Sequence, residues 1–104
     1  MTQAWLPVAS LVLLSSVCHA DVDSARQLEL MHLLKQDCGS CHGMTLKGGL
    51  GPALLPSSLD GKSTDFLVST ILDGRKDTAM PPWRPLLSED EALWIAQQLK
   101  RGVQ

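Results

Sequence analysis

The sequence predicts a small all-α domain that relies on a bound group to complete its core. Three observations carry that expectation. Three capped segments repeat apolar residues at helical spacing, and no period-2 alternation is long enough for a strand. The apolar supply is thin for a chain of 104 residues, with one Phe, three Trp and no Tyr, and small domains struggle to bury enough surface unaided. The run Cys38-Gly39-Ser40-Cys41-His42 directly follows the first segment.

In chain order, residues 1–20 have the outline of a secretory leader. Leu6 to Val17 are almost all apolar or small, Ala20 offers a small residue for cleavage, and charge begins at Asp21. The apolar run is too short to span a bilayer. The expected organisation is therefore a cleaved signal peptide, 1–20, and one domain, 21–104. A retained anchor or a lipoprotein signal at Cys18 is the alternative, although Val17 suits a lipobox poorly. Removal of Cys18 leaves Cys38 and Cys41 as the remaining cysteines, so no structural disulfide is expected.

Asp23-Ser24 caps a first helix expected to reach about Gln36. Its predicted apolar stripe is Leu28, Met31, Leu34 and Lys35, widened by Leu30 and Leu33. From Gly43 to Lys62, Gly48, Gly49, Gly51, Pro52, Pro56 and Gly61 predict loop. Ser63-Thr64-Asp65 caps a second helix, Phe66 to Leu72, stopped by Gly74, with Phe66, Leu67, Thr70 and Ile71 inward. Pro81, Pro82 and Pro85 exclude a regular helix between Arg75 and Leu87. Ser88-Glu89-Asp90-Glu91 reads as a capping box for a last helix ending near Arg101. Ala92, Ile95, Ala96 and Leu99 form its stripe, with Trp94 beside it.

The Cys38–His42 run is the pattern for covalent haem attachment. Two thiols add across two vinyl groups, and two intervening residues set the sulfur spacing. The histidine that follows reaches the iron from the same side. The expected cofactor is one haem c held through Cys38 and Cys41, with His42 as an iron ligand. A redox dithiol would want a preceding strand in a βαβ unit. A zinc site would want four ligands, and Cys38, Cys41 and His42 supply three, with His32 the other histidine past the leader.

For the second axial position, Met80 is favoured, because Pro81 and Pro82 stiffen its loop. Met44 is too close to His42 to swing across, Met31 belongs to the first helix's stripe, and His32 is the main competitor. The Gly51-Pro52 carbonyl could accept the second ring N–H of His42; an ordinary Gly-Pro turn is the equal alternative. Two axial side chains would close the iron to substrate, which makes an electron carrier and not an enzyme. Lys47, Lys62, Lys76 and Arg84 are candidates to steer an acidic partner, or are ordinary solvated charges. The net charge of −2 gives no support to nucleic-acid binding.

Cys38–His42, Gly51-Pro52-Ala53-Leu54, Ile71-Leu72-Asp73-Gly74, Met80-Pro81 and the closing helix together resemble class I bacterial cytochromes c. That resemblance implies N- and C-terminal helices crossing over a covalently bound haem, a shorter middle helix and long loops. It implies His42 as proximal ligand, Met80 as distal ligand, the Pro52 carbonyl as partner of His42, and Trp94 or Ile95 at the helix crossing. Thr78 to Leu87 is similar to a narrower group, the small NirC-type periplasmic cytochromes associated with haem-cd nitrite reductase. That similarity implies a periplasmic, monomeric carrier in denitrification, with a redox protein partner, nitrite reductase, and no membrane insertion after cleavage. Two alternatives stand beside it: an accessory protein in d-type haem maturation, and a five-coordinate haem protein binding a small ligand.

Overall fold

The computed structural model describes residues 21–103 together with residues 2–5, 7, 10, 12 and 13. The predicted leader, including Cys18 and the cleavage point at Ala20, lies largely outside the described residues.

Helix α1 spans Ser24–Leu33 and begins on Asp23, whose Oδ1 accepts the Arg26 N–H at 2.9 Å. The expected end near Gln36 is not observed. The chain continues through a π-helical turn, Leu34–Cys38, into α2, Gly39–His42. Nothing there lacks a backbone N–H donor, so the spiral runs on and carries the whole Cys-x-x-Cys-His run. The wider turn inserts one residue and changes which way the following side chains face.

The buried face of α1 also differs from the expected stripe. Leu30 and Leu34 are fully buried, whereas Leu28 is 76% exposed and Lys35 is exposed. At about 100° per residue, Leu28 lies roughly 160° from Leu30, across the helix. Leu30 and Leu34, one turn apart, define the inner face, and each contributes roughly 2 kcal/mol by leaving water.

The Gly43–Lys62 stretch, expected as loop, contains a 3-10 turn at Pro56–Leu59, with Pro56 opening it and Leu59 buried. Proline's fixed φ suits that first position. Helix α3 spans Thr64–Asp73 and is capped by Ser63, whose Oγ accepts the Phe66 N–H at 3.1 Å. Leu67, Ile71 and Leu72 face inward. Phe66 does not: it is 51% exposed, with the Lys62 ammonium 5.8 Å from its ring centroid.

Helix α4, Glu89–Arg101, has the predicted capping box, with Ser88 and Glu91 each bonding the other's backbone. Ala92, Ile95, Ala96 and Leu99 are all buried, as the periodicity predicts. The helix packs against α3, the Pro56–Leu59 turn and α1. Arg26 ties α1 to α4 through Glu91, and also bonds Glu29. The Arg26 guanidinium, then the Ser88 N–H, hold the Glu91 carboxyl below its ordinary pKa. Among the described residues there is no strand, and no helix is long and apolar enough to cross a membrane. Their buried apolar side chains are Leu, Ile and Ala; Trp83 and Trp94 are only partly buried against them.

Candidate functional site

Cys38 and Cys41 stand one helical turn apart where the π turn passes into α2, so they share a side of the helix. Ser40 turns its hydroxyl back to donate to the Asp37 carbonyl at 2.8 Å. Both thiols are half-buried and outside any disulfide. Burial, and then the Asp37 charge, push the Cys38 thiol up to about 11. A disulfide-exchanging pair works the other way, by lowering the pKa of its attacking thiol. The arrangement also lacks, among the described residues, the preceding strand that a redox dithiol in a βαβ unit follows. It gives zinc no fourth ligand either, since His32 sits exposed on α1, and among the described residues no cluster of three or more His, Cys, Asp or Glu converges.

His42 ends α2, and its ring is fixed by the loop that follows. Nδ1 lies 2.7 Å from the Pro52 carbonyl oxygen. A carbonyl can only accept, so Nδ1 carries the proton, and in the neutral ring Nε2 keeps the free lone pair. The Gly48 N–H bonds the His42 carbonyl and the Gly51 N–H bonds the Cys41 carbonyl, both at 2.8 Å. These contacts satisfy carbonyls that the end of α2 leaves without helical partners. Gly51 lies against the imidazole: a Cβ there would come within 2.8 Å of Cε1 and Nδ1. Glycine is thus required by close approach. Leu46, buried with a left-handed φ of 58°, pins the loop to the core, and its carbonyl accepts the Leu54 N–H at 2.9 Å. No sequence signal marks a left-handed leucine.

Met80 is half-buried on a separate strap between α3 and α4. The strap is also the C-terminal cap of α3. The Trp83 N–H donates to the Ile71 carbonyl at 3.1 Å, and the Arg84 N–H to the Leu72 carbonyl at 3.0 Å. Within the strap, the Arg75 N–H reaches the Met80 carbonyl at 3.3 Å, and Thr78 Oγ1 donates to the Arg75 carbonyl at 2.7 Å. Gly74, with φ +67°, makes this possible: a Cβ there would stand 2.6 Å from the Met80 carbonyl oxygen. The other candidate methionines are placed differently: Met31 is half-buried on α1 and Met44 is 63% exposed.

One expected role is corrected. Arg84 is not a free steering cation. Its Nε and Nη2 donate to Asp73 Oδ1 at 2.9 and 2.7 Å, and its Nη1 lies 3.9 Å from Glu89 Oε1. The Asp73–Arg84 pair has no counterpart in the periodicity, because partners eleven residues apart on a helix end and a loop leave no periodic signal.

Two unpaired thiols, an imidazole with Nε2 free and a thioether on a second loop are the donor set that a covalently attached haem takes. The comparisons with known proteins agree. A family model described as subunit III of cbb3-type cytochrome c oxidase matches residues 25–97. Cytochrome c55X of Pseudomonas aeruginosa is 59% identical over 80 residues, which is 77% of this chain and 67% of that protein. Among solved structures, a c-type cytochrome NirC is 56% identical, covers 77% of this chain and 94% of its own, and has a TM-score of 0.76. A dihydro-heme d1 dehydrogenase NirN in complex with DHE is 33% identical over 69% of this chain but only 16% of its own, with a TM-score of 0.64.

Proposed function

This chain belongs to the NirC-type cytochromes c, electron carriers with covalent haem and not enzymes; from that premise we propose that it passes single electrons to or from dissimilatory nitrite reductase in the periplasm. One haem is held by Cys38 and Cys41 in a mature monomer of residues 21–104. His42 and Met80 would hold its iron. The observation that carries this reading is the His42–Pro52 hydrogen bond. It orients the imidazole and leaves Nε2, within a Cys-x-x-Cys-His run, as the ring nitrogen able to bind iron.

The haem supplies a ferric–ferrous couple. The chain's own residues set how that couple is used. Pro52 holds the His42 ring in one tautomer, which a ligating histidine needs and which increases its basicity. The soft thioether of Met80 favours the reduced state and so raises the potential. With His42 and Met80 both holding the iron, the site would admit no substrate. Gly48 and Gly49 beside the motif present little bulk to a docking protein, and the exposed Leu50 offers it an apolar contact. Such redox encounters are small in area and brief.

Mass spectrometry of the exported protein tests the first half. Residues 21–104 plus one haem is the expected mass, and a haem-free mass would undo the reading. The spectrum of the oxidised protein tests the second. It should show the weak long-wavelength band of iron–thioether ligation, and Met80→Ala should remove that band and let the reduced protein bind carbon monoxide. High-spin iron in the unaltered protein would instead favour a five-coordinate site.

A second reading, help in d-type haem maturation, is favoured by the likeness to a dihydro-heme d1 dehydrogenase. Deleting the gene separates the two. Nitrite reductase lacking its d-type haem supports maturation, and fully assembled enzyme starved of electrons supports donation.

A further inference from the structure

We propose that Asp73 and Arg84 form a clasp that positions Met80, a role that rests on Met80 being the distal ligand as read above. A thioether has no hydrogen to donate and its sulfur is only a weak acceptor, so Met80 is not gripped as the Pro52 carbonyl grips His42. Its place is set by the backbone of the strap. That strap leaves α3 at Gly74 and returns to the last turn of α3 at Trp83 and Arg84, where their N–H groups take the Ile71 and Leu72 carbonyls. Arg84 then places two guanidinium nitrogens on one oxygen of Asp73, the final residue of α3. The start and the return of the strap are thereby joined by charge. The cation also sits at the negative end of the α3 dipole, where it is favoured. Glu89, the first residue of α4, lies on a further nitrogen of the same group at 3.9 Å.

Both side chains of the pair are more than half exposed, so neither supports the core. An exposed pair contributes little to global stability. Detachment of one loop is another matter. It needs only local opening, whose free energy is far below that of unfolding, and a small contribution there changes the open population several-fold.

The test uses the haem-loaded protein with Arg84→Gln, Asp73→Asn, the double variant and Met80→Ala. The readouts are the rate of carbon monoxide binding to the reduced form and the long-wavelength band of the oxidised form. Each single variant should bind carbon monoxide about fivefold faster, equivalent to about 1 kcal/mol at 1.4 kcal/mol per tenfold. The thermal midpoint should barely move. The double variant should be no faster than either single, because one interaction is lost only once. Singles that match the unaltered protein while Met80→Ala binds freely would overturn the clasp and leave the ligand assignment standing. Single effects that multiply in the double variant would also overturn it. If Met80→Ala itself behaves as the unaltered protein does, the ligand assignment falls and the clasp falls with it.

Discussion

The loop after His42 and the strap around Met80 solve related problems by different physics. Both depend on a glycine that lets backbone approach closely, Gly51 in one and Gly74 in the other. Both satisfy carbonyls left over at the end of a helix. They differ in what they hold. An imidazole has a second nitrogen, so the loop grips the ring directly through the Pro52 carbonyl. A thioether has no such handle, so the strap fixes the backbone on either side of Met80. The comparison teaches that the ligand's own chemistry decides whether a loop aims a side chain or a segment of chain.

The largest expected effect separates the two regions. Gly74→Ala adds a Cβ 2.6 Å from the Met80 carbonyl oxygen and 2.8 Å from the Pro81 carbonyl carbon, at a φ of +67°. Backbone atoms cannot step aside as side chains can. The left-handed penalty and the overlap together should cost about 2 kcal/mol or more in denaturant unfolding, and the long-wavelength band should fade.

Gly51→Ala should cost less, roughly 1–2 kcal/mol, because the obstructing atoms belong to a side chain and not to backbone, and Gly51 carries no positive φ. Its mark is on the proximal side. Hyperfine-shifted histidine resonances should move while the Met80 signals hold. Equal movement in both would break the comparison.

A change in the frame alone provides the reference. Ser88→Ala removes the oxygen that accepts the Glu91 N–H at the start of α4. It should lower unfolding free energy by about 1 kcal/mol with neither ligand signal altered. Glu91 adds an acid-dependent part. Arg26 holds its carboxyl below the ordinary 4.5, so the unfolded chain binds that proton more readily than the folded one. This stabilisation is complete above about pH 4.5 and is lost as pH falls through the lower folded value. Glu91→Gln should flatten that acid limb of the stability curve, and an unchanged limb would place the acid sensitivity elsewhere.

Pro52→Ala should have the smallest effect. The group that grips His42 is a backbone carbonyl, and alanine keeps it. Only the stiffness of proline is lost, about 0.4–1 kcal/mol through the unfolded chain, with the proximal histidine signal in place.

Local features were legible in the sequence to a large extent. The caps at Asp23, Ser63 and Ser88 sit where predicted, since a cap and its partner are three residues apart. The α4 stripe was right in every position, because four inward residues on one long helix settle the phase. The α1 stripe was not, because leucines at 28, 30, 33 and 34 allow more than one face. Phe66 shows the same limit: hydrophobicity nominates a core residue, but the neighbouring helices decide which way inward is.

The sequence by itself determined the capped helices, the Cys38–His42 run and the choice of Met80 as the methionine to favour. Each depends on residues close along the chain, where spacing is chemistry. Tertiary structure decided the rest. It carried α1 through a π turn into the motif, set the His42 tautomer through Pro52, pinned Leu46 in a left-handed conformation, and drew Arg84 away from solvent steering onto Asp73. These arrangements come from segments brought together by folding: spacing offered the Pro52 carbonyl only as one of two equal readings, and it did not encode which carboxylate would lie nearest Arg84.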